Sequence, residues 1–139
     1  MHPQAQLRIY AMVGDADCLK GHFWEASVAV EYHRLDTRAG IVDHTQLQIA
    51  GFVEDVISIT PLRDKWKAFR WHALEIDYHD MPQILDALDE ATAIRGQPKK
   101  IITHTAKSKV VFFMENVPAF HGKVPGKDGC ELAQRELLG

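Results

Sequence analysis

The sequence has few cysteines and no long apolar run, and both absences exclude classes of protein. Cys18 and Cys130 are the only cysteines among 139 residues. They are too few for a disulfide framework and lack the paired spacing of a structural zinc site. No apolar run approaches the roughly 20 residues that a membrane helix needs, and the first residues carry no signal-peptide pattern. The sequence therefore predicts a cytoplasmic protein with no membrane association.

Motifs for catalysis and cofactor binding are missing as well. The sequence contains neither of the glycine-rich phosphate-binding motifs and no nucleophile elbow of the serine hydrolases. Eight histidines are present, but none occurs in the spacing of a zinc enzyme. We therefore predict no catalytic residue, no cofactor and no metal. The sequence favours a protein that is not an enzyme, without deciding the question.

The overall composition is that of an ordinary globular protein, with 46% apolar and 25% charged residues. The length of 139 residues matches one domain, so we predict a single α+β domain over residues 1–139. The net charge of −3 conceals a separation of sign along the chain. Residues 72–94 carry a net charge of −6 and residues 95–127 a net charge of +6, a pattern that predicts a polarised surface.

Periodicity predicts the order of the elements. Alternating apolar residues predict strands over 7–13, 24–32 and 74–78, and a hairpin of strands 101–105 and 110–114 around a basic loop. Capping patterns predict helices from Asp43 to about residue 57, over 81–95 and over 128–138. A strand pair broken at Gly51 is the alternative for the first helix, and residues 62–71 fit a helix or a strand. We predict a single-layer, mostly antiparallel sheet with helices packed on one face.

The sharpest local signal is the segment over residues 63–71, which interleaves cations with aromatic rings. Single-stranded nucleic acid needs cations for its phosphates and ring faces for its bases, and the predicted basic hairpin over residues 99–109 extends the same surface. The alternative is an amphipathic element whose aromatic rings fill the core while its lysines stay in water. The candidate residues for binding a partner or nucleic acid are Arg63, Lys65, Trp66, Lys67, Arg70, Lys99, Lys100, Lys107 and Lys109.

Histidines and carboxylates around one predicted strand form a second candidate. His72 and His79 flank the strand beside Asp77 and Asp80 and are candidates for a mixed site that holds a divalent metal or performs acid–base chemistry. The alternative is a pair of surface histidines without a shared role.

Three functional interpretations follow. The first is a non-enzymatic interaction protein, an inhibitor or accessory subunit that acts through its charge-segregated surface, as a homodimer. The second is a module that binds single-stranded nucleic acid. The third is a small enzyme or ligand-binding protein with a His and carboxylate site. A macromolecular partner is expected, and a protein is favoured over nucleic acid because the net charge is negative.

Overall fold

A computed structural model describes residues 7–139. The strands are β1 (Ile9–Gly14), β2 (Arg38–His44), β3 (Leu47–Gln48), β4 (Gly51–Phe52), β5 (His72–Asp77) and β6 (Lys99–His104). The helices are α1 (Gly21–Tyr32), α2 (Val53–Val56), α3 (Leu62–Ala68), α4 (Met81–Ala93) and α5 (Lys127–Leu138). Two 3₁₀ turns cover Asp15–Leu19 and Pro118–His121. The single domain over residues 1–139 stays a prediction.

The main sheet consists of four parallel strands in the order β1-β2-β6-β5. Among the described residues, the short β3 and β4 form the one antiparallel pair. The predicted single-layer, mostly antiparallel sheet is therefore wrong, and the fold is α/β. The carboxyl ends of all four parallel strands lie at one edge of the sheet, where ligands bind in folds of this class.

Helices cover both faces of this sheet, not one. On one face, α1 and α3 contribute to a core in which Trp66 packs with Val42 and Ile102. On the other face, Ala87 and Ala91 of α4 pack against Ile101. The central strands β2 and β6 are thus covered on both sides, as parallel strands usually are.

Helix α1 occupies the segment that alternation assigned to a strand, so that prediction is wrong. Six of the nine residues over 24–32 are apolar, and a period of two can be read from them by chance. The residues that the helix turns inward are Phe23, Trp24, Ser27 and Val30, at the three- and four-residue spacings of one helix face. Val28 and Tyr32 belonged to the predicted buried side and are 46% and 77% exposed.

The helix predicted from Asp43 is also absent, because β2 runs through Asp43 to His44 and the β3–β4 pair follows. The alternative of a strand pair broken at Gly51 is closer, because β3 and β4 pair with each other, but Gly51 begins β4 and residues 53–56 form α2. The prediction assumed that Asp43 accepts a hydrogen bond from the backbone N–H of Gln46. That N–H instead donates to Asp15 at 2.7 Å, a partner 31 positions away that no local pattern reveals.

Several local predictions are confirmed. β1, β5, α4 and α5 lie where periodicity and capping place them, and Asp80 caps α4 by accepting from the backbone N–H of Gln83. Residues 62–68 form a helix. The predicted hairpin is half right: β6 is present, but its second strand over residues 110–114 is a series of turns with Val110 at φ 67°. Within residues 7–139, no helix combines the length and apolarity that crossing a membrane requires.

Lys99 and Lys100 begin the buried strand β6 and are 2% and 3% exposed. Lys99 donates to the backbone carbonyl of Asp36. The ammonium of Lys100 instead lies over the ring of Trp66, 4.2 Å from its centroid. Gly40 makes room for it, since a Cβ there would lie 2.5 Å from the Lys100 Nζ. The two lysines therefore do not extend a basic surface.

Lys100 should reduce the stability of the fold at neutral pH. Burial lowers its pKa from 10.5 to about 8, so the unfolded chain holds this proton more tightly than the folded chain. This difference in pKa lowers the free energy of unfolding by up to about 3 kcal/mol below pH 8. Attraction between the ammonium and the aromatic rings offsets part of that loss. We expect Lys100→Met to raise the free energy of unfolding by about 1–3 kcal/mol at pH 7. Its advantage over the wild type should shrink as pH rises from about 8 to 10.5.

Urea unfolding of both proteins between pH 6 and about 10.5 measures this difference. Lys67→Met, on the exposed side of α3, is the matched control and should change stability by less than about 0.5 kcal/mol at every pH. A Lys100→Met advantage that is absent at pH 7, or independent of pH, would contradict the expected cost of the buried charge.

Candidate functional site

A buried carboxylate organises the edge of the sheet where the parallel strands end. Asp15 directly follows β1 and is 2% exposed. Its Oδ1 lies 2.6 Å from Nδ1 of His44, and its Oδ2 accepts from the backbone N–H of Gln46 at 2.7 Å and from the hydroxyl of Thr45 at 3.1 Å. One side chain thus ties the end of β1 to the loop that leaves β2. We call this region the carboxyl-edge site.

Three oxygen atoms converge there. Thr45 Oγ1 lies 3.1 Å from Asp15 Oδ2 and 3.2 Å from the backbone carbonyl oxygen of Leu47. A carboxylate, a hydroxyl and a carbonyl form a hard oxygen set of the kind that Mg²⁺ and Ca²⁺ take. Within residues 7–139 no cluster of three or more His, Cys, Asp or Glu side chains is arranged to hold a metal. A cation at these oxygens would complete its shell with water and ligand oxygens, as Mg²⁺ commonly does with phosphates.

A cleft of about 460 Å³ opens beside these oxygens, within the usual size range of small-molecule sites. His44 and Thr45 line it together with polar residues from the ends of β5 and β6, including Asp77 and His104. The rings of His44 and His104 are 5.4 Å apart, and His104 Nε2 lies 3.8 Å from Glu75 Oε1. Titratable side chains therefore continue from Asp15 across the sheet edge.

Three further polar atoms near this edge are buried without a partner in the described part of the chain. They are Oδ1 of Asp43, Nε2 of Gln48 and Nδ1 of His121. Gln48 belongs to β3, and the turn that carries His121 packs against β3 and β4. Buried polar groups are normally hydrogen-bonded, but none of these residues is among those that line the cleft.

The predicted basic and aromatic residues do not come together as one surface. Trp66 is fully buried in the core, Lys65 donates to the carbonyl of Ile59, and Arg70 lies 3.9 Å from Glu31. Arg63, Lys67, Arg70 and Lys109 are exposed, Lys107 is half-buried, and Lys99 and Lys100 are buried.

The histidines of the third interpretation lie at opposite edges of the sheet. His72 begins β5 and pairs with Glu90 at 2.7 Å, whereas His79 follows the other end of β5 and accepts from the backbone N–H of Ala106. Seven residues of extended chain separate them by roughly 20 Å. The sequence analysis missed Asp15, His44 and Thr45 as functional residues. The signal that could have indicated them is that polar residues follow two apolar segments, which form β1 and β2.

Comparison with known proteins identifies enzymes. Residues 2–139 match the family model described as transketolase, thiamine diphosphate binding domain. The chain is 34% identical over 134 residues to a subunit of the apulose-4-phosphate transketolase of Phocaeicola vulgatus, and 35% identical over 129 residues to the 6-deoxy-6-sulfo-D-fructose transketolase subunit SqwG of a Clostridium species. These alignments cover 96% and 93% of this chain but 48% and 47% of the relatives. The chain thus spans about half of their length.

A solved structure agrees with the sequence matches. The crystal structure of transketolase from Campylobacter jejuni has a TM-score of 0.87 and 27% identity, covering 95% of this chain and 21% of that one. The prediction of a non-enzymatic interaction protein is therefore wrong, and so is the nucleic-acid alternative. The enzyme alternative was closer, although it rested on other residues. The interaction-protein and nucleic-acid interpretations both relied on blocks of charge. A count of charges along the sequence does not distinguish buried lysines from exposed ones.

Asp15 should be a major determinant of stability at this edge. Asp15→Ala leaves the donors of His44 and Gln46 without their acceptor, whereas the Thr45 hydroxyl keeps the carbonyl oxygen of Leu47 as an acceptor. Buried unpaired donors cost about 1–3 kcal/mol each. We therefore expect the free energy of unfolding to fall by about 3 kcal/mol or more, measured by urea denaturation at pH 7.

Asp17→Ala is the matched control for this substitution. Asp17 lies in the same 3₁₀ turn, pairs with the exposed Lys20 and accepts from the backbone N–H of Gly14. We expect it to lose about 1 kcal/mol. Equal losses for the two variants would show that the buried network adds nothing to stability.

Proposed function

The chain belongs to the transketolase family of thiamine diphosphate-binding domains, and we propose that its carboxyl-edge site binds thiamine diphosphate together with a divalent cation. The observation that carries the proposal is the convergence of Asp15 Oδ2, Thr45 Oγ1 and the Leu47 carbonyl oxygen at the ends of parallel strands. A diphosphate supplies the further oxygens that such a partial set lacks. The cofactor, when bound, supplies carbanion stabilisation.

The protein groups around this oxygen set have separate tasks in the proposal. Asp15 and Thr45 hold the cation, and the Asp15 contact with Nδ1 orients the ring of His44. In a neutral ring with Nδ1–H donating to Asp15, Nε2 of His44 remains free as an acceptor. His104 places a second imidazole beside it. These two rings are the groups that we expect to hold or move protons in the cleft.

The size of the cleft supports the same placement. The cleft volume of about 460 Å³ accommodates part of such a molecule and leaves the rest accessible to other surfaces.

We further infer that the chain acts with a protein partner on an acidic ketose. The names of two relatives describe subunits of transketolases that act on apulose-4-phosphate and on 6-deoxy-6-sulfo-D-fructose. Both substrates are sugars with a phosphate or sulfonate group. Because this chain spans about half of those relatives, we expect the catalytic assembly to include residues beyond the 139 of this sequence. The homodimer stays a prediction.

Cofactor binding tests the central proposal. Isothermal titration of thiamine diphosphate into the protein should give saturable binding with Mg²⁺ and none after chelation. Asp15→Asn keeps the side-chain volume but removes the charge, and Thr45→Val removes only the hydroxyl. We expect each to weaken binding at least about tenfold, the loss of roughly 1.4 kcal/mol or more.

Asp17→Asn provides the control, because this carboxylate lies two residues away and outside the oxygen set. It should leave the dissociation constant within about twofold of wild type. Wild-type protein that binds no thiamine diphosphate with Mg²⁺ present would overturn the proposal. Binding that is indifferent to chelation would overturn the role of the cation.

A further inference from the structure

A second cavity lies on the face of the sheet that α1 covers, away from the carboxyl-edge site. Its volume is about 200 Å³, and its walls include Ala11 and Val13 of β1, Phe23 and Val30 of α1, and Trp71. Lys100 lines the cavity near the start of β6. His104 at the other end of that strand is four residues away, about 13 Å along extended chain. The two sites are therefore spatially separate.

The charges around this cavity have one sign. Lys100 and Arg38 are the charged residues among its described lining residues, and no carboxylate accompanies them. Within residues 7–139, the guanidinium of Arg38 donates to the hydroxyl of Thr37 and forms no ion pair. Ser27, the remaining polar side chain in the lining, already donates to the carbonyl of Phe23. The cavity thus offers two cations within apolar walls.

Among the residues that the structure describes, Lys100 has no carboxylate partner. Its side chain is buried, and within residues 7–139 neither a hydrogen bond nor an ion pair engages its Nζ. Three aromatic rings surround the ammonium instead, with centroids at 4.2 Å for Trp66, 4.9 Å for Phe23 and 5.6 Å for Trp71. Ring faces attract a cation, but they leave its N–H donors without ordinary acceptors.

We propose that this cavity binds a small aliphatic carboxylate, with the carboxylate paired to Lys100 and the alkyl chain against the apolar walls. A carboxylate supplies both a negative charge and hydrogen-bond acceptors to a buried ammonium. Phe23, Val30 and Val13 supply the surface for the chain. At roughly 30 Å³ for each water-sized group, the volume admits about six to eight non-hydrogen atoms. Hexanoate matches that size.

Titration of hexanoate into the 139-residue protein tests the proposal, with tryptophan fluorescence as the readout because Trp66 and Trp71 contact Lys100. Hexan-1-ol has the same chain and no charge. We expect saturable hexanoate binding, with hexan-1-ol at least about tenfold weaker. Lys100→Met should reduce hexanoate affinity at least about tenfold and leave hexan-1-ol binding unchanged, which separates the ion pair from the apolar contact.

Two matched pairs of variants complete the experiment. Lys99→Met removes the neighbouring buried lysine, whose ammonium bonds to Asp36, and should keep hexanoate affinity. Val30→Phe fills the cavity and should abolish binding, whereas Val28→Phe on the exposed side of α1 should not. Equal affinity for hexanoate and hexan-1-ol, unchanged hexanoate binding by Lys100→Met, or no saturable binding would each overturn the proposal. None of these outcomes bears on thiamine diphosphate.

Discussion

The carboxylate of Asp15 is the constraint on which the carboxyl edge of this protein depends. Its acceptor oxygens hold the segment His44–Gln46 against the end of β1. Gln46 has a φ of 59°, a conformation that costs a non-glycine residue about 1–2 kcal/mol. The bond from its backbone N–H to Asp15 helps to offset that cost. The same turn brings Thr45 Oγ1 to the carboxylate and the Leu47 carbonyl oxygen to Thr45 Oγ1, so the geometry of the oxygen set depends on one buried acid.

The sequence predicted elements whose signals are local and missed those whose cause is distant. β5 and α4 were predictable because alternation passes directly into a capped, amphipathic helix. β2 was not, since a strand buried on both faces has no polar side to alternate with. Strand order depends on pairings such as Val42 with Ile102, which are 60 positions apart. Without the strand order, the sequence could not predict that the strands are parallel, or that their carboxyl ends meet at one edge of the sheet.

The sequence also did not predict the candidate site, because the site depends on the same long-range strand pairing. Asp15 and Thr45 are unremarkable in the sequence, and only the parallel sheet brings them within 3.1 Å. The prediction for Lys99 and Lys100 was wrong for the opposite reason. The sequence suggested that they belong to a basic surface, but they begin a strand that is covered on both faces. A count of charges assigns every lysine to the surface, and that assumption breaks down for lysines at the start of a central strand.

Lys100 raises a question that packing alone does not answer. A buried ammonium without a carboxylate partner lowers stability, and an apolar residue of similar size would fill the same space at lower cost. The sequence also places glycine at position 40, where a larger residue would crowd the Lys100 Nζ. Two positions on adjacent strands thus accommodate a side chain that destabilises the empty fold. Local features that oppose stability are concentrated at functional sites, and an anion in the cavity would turn this cost into binding energy.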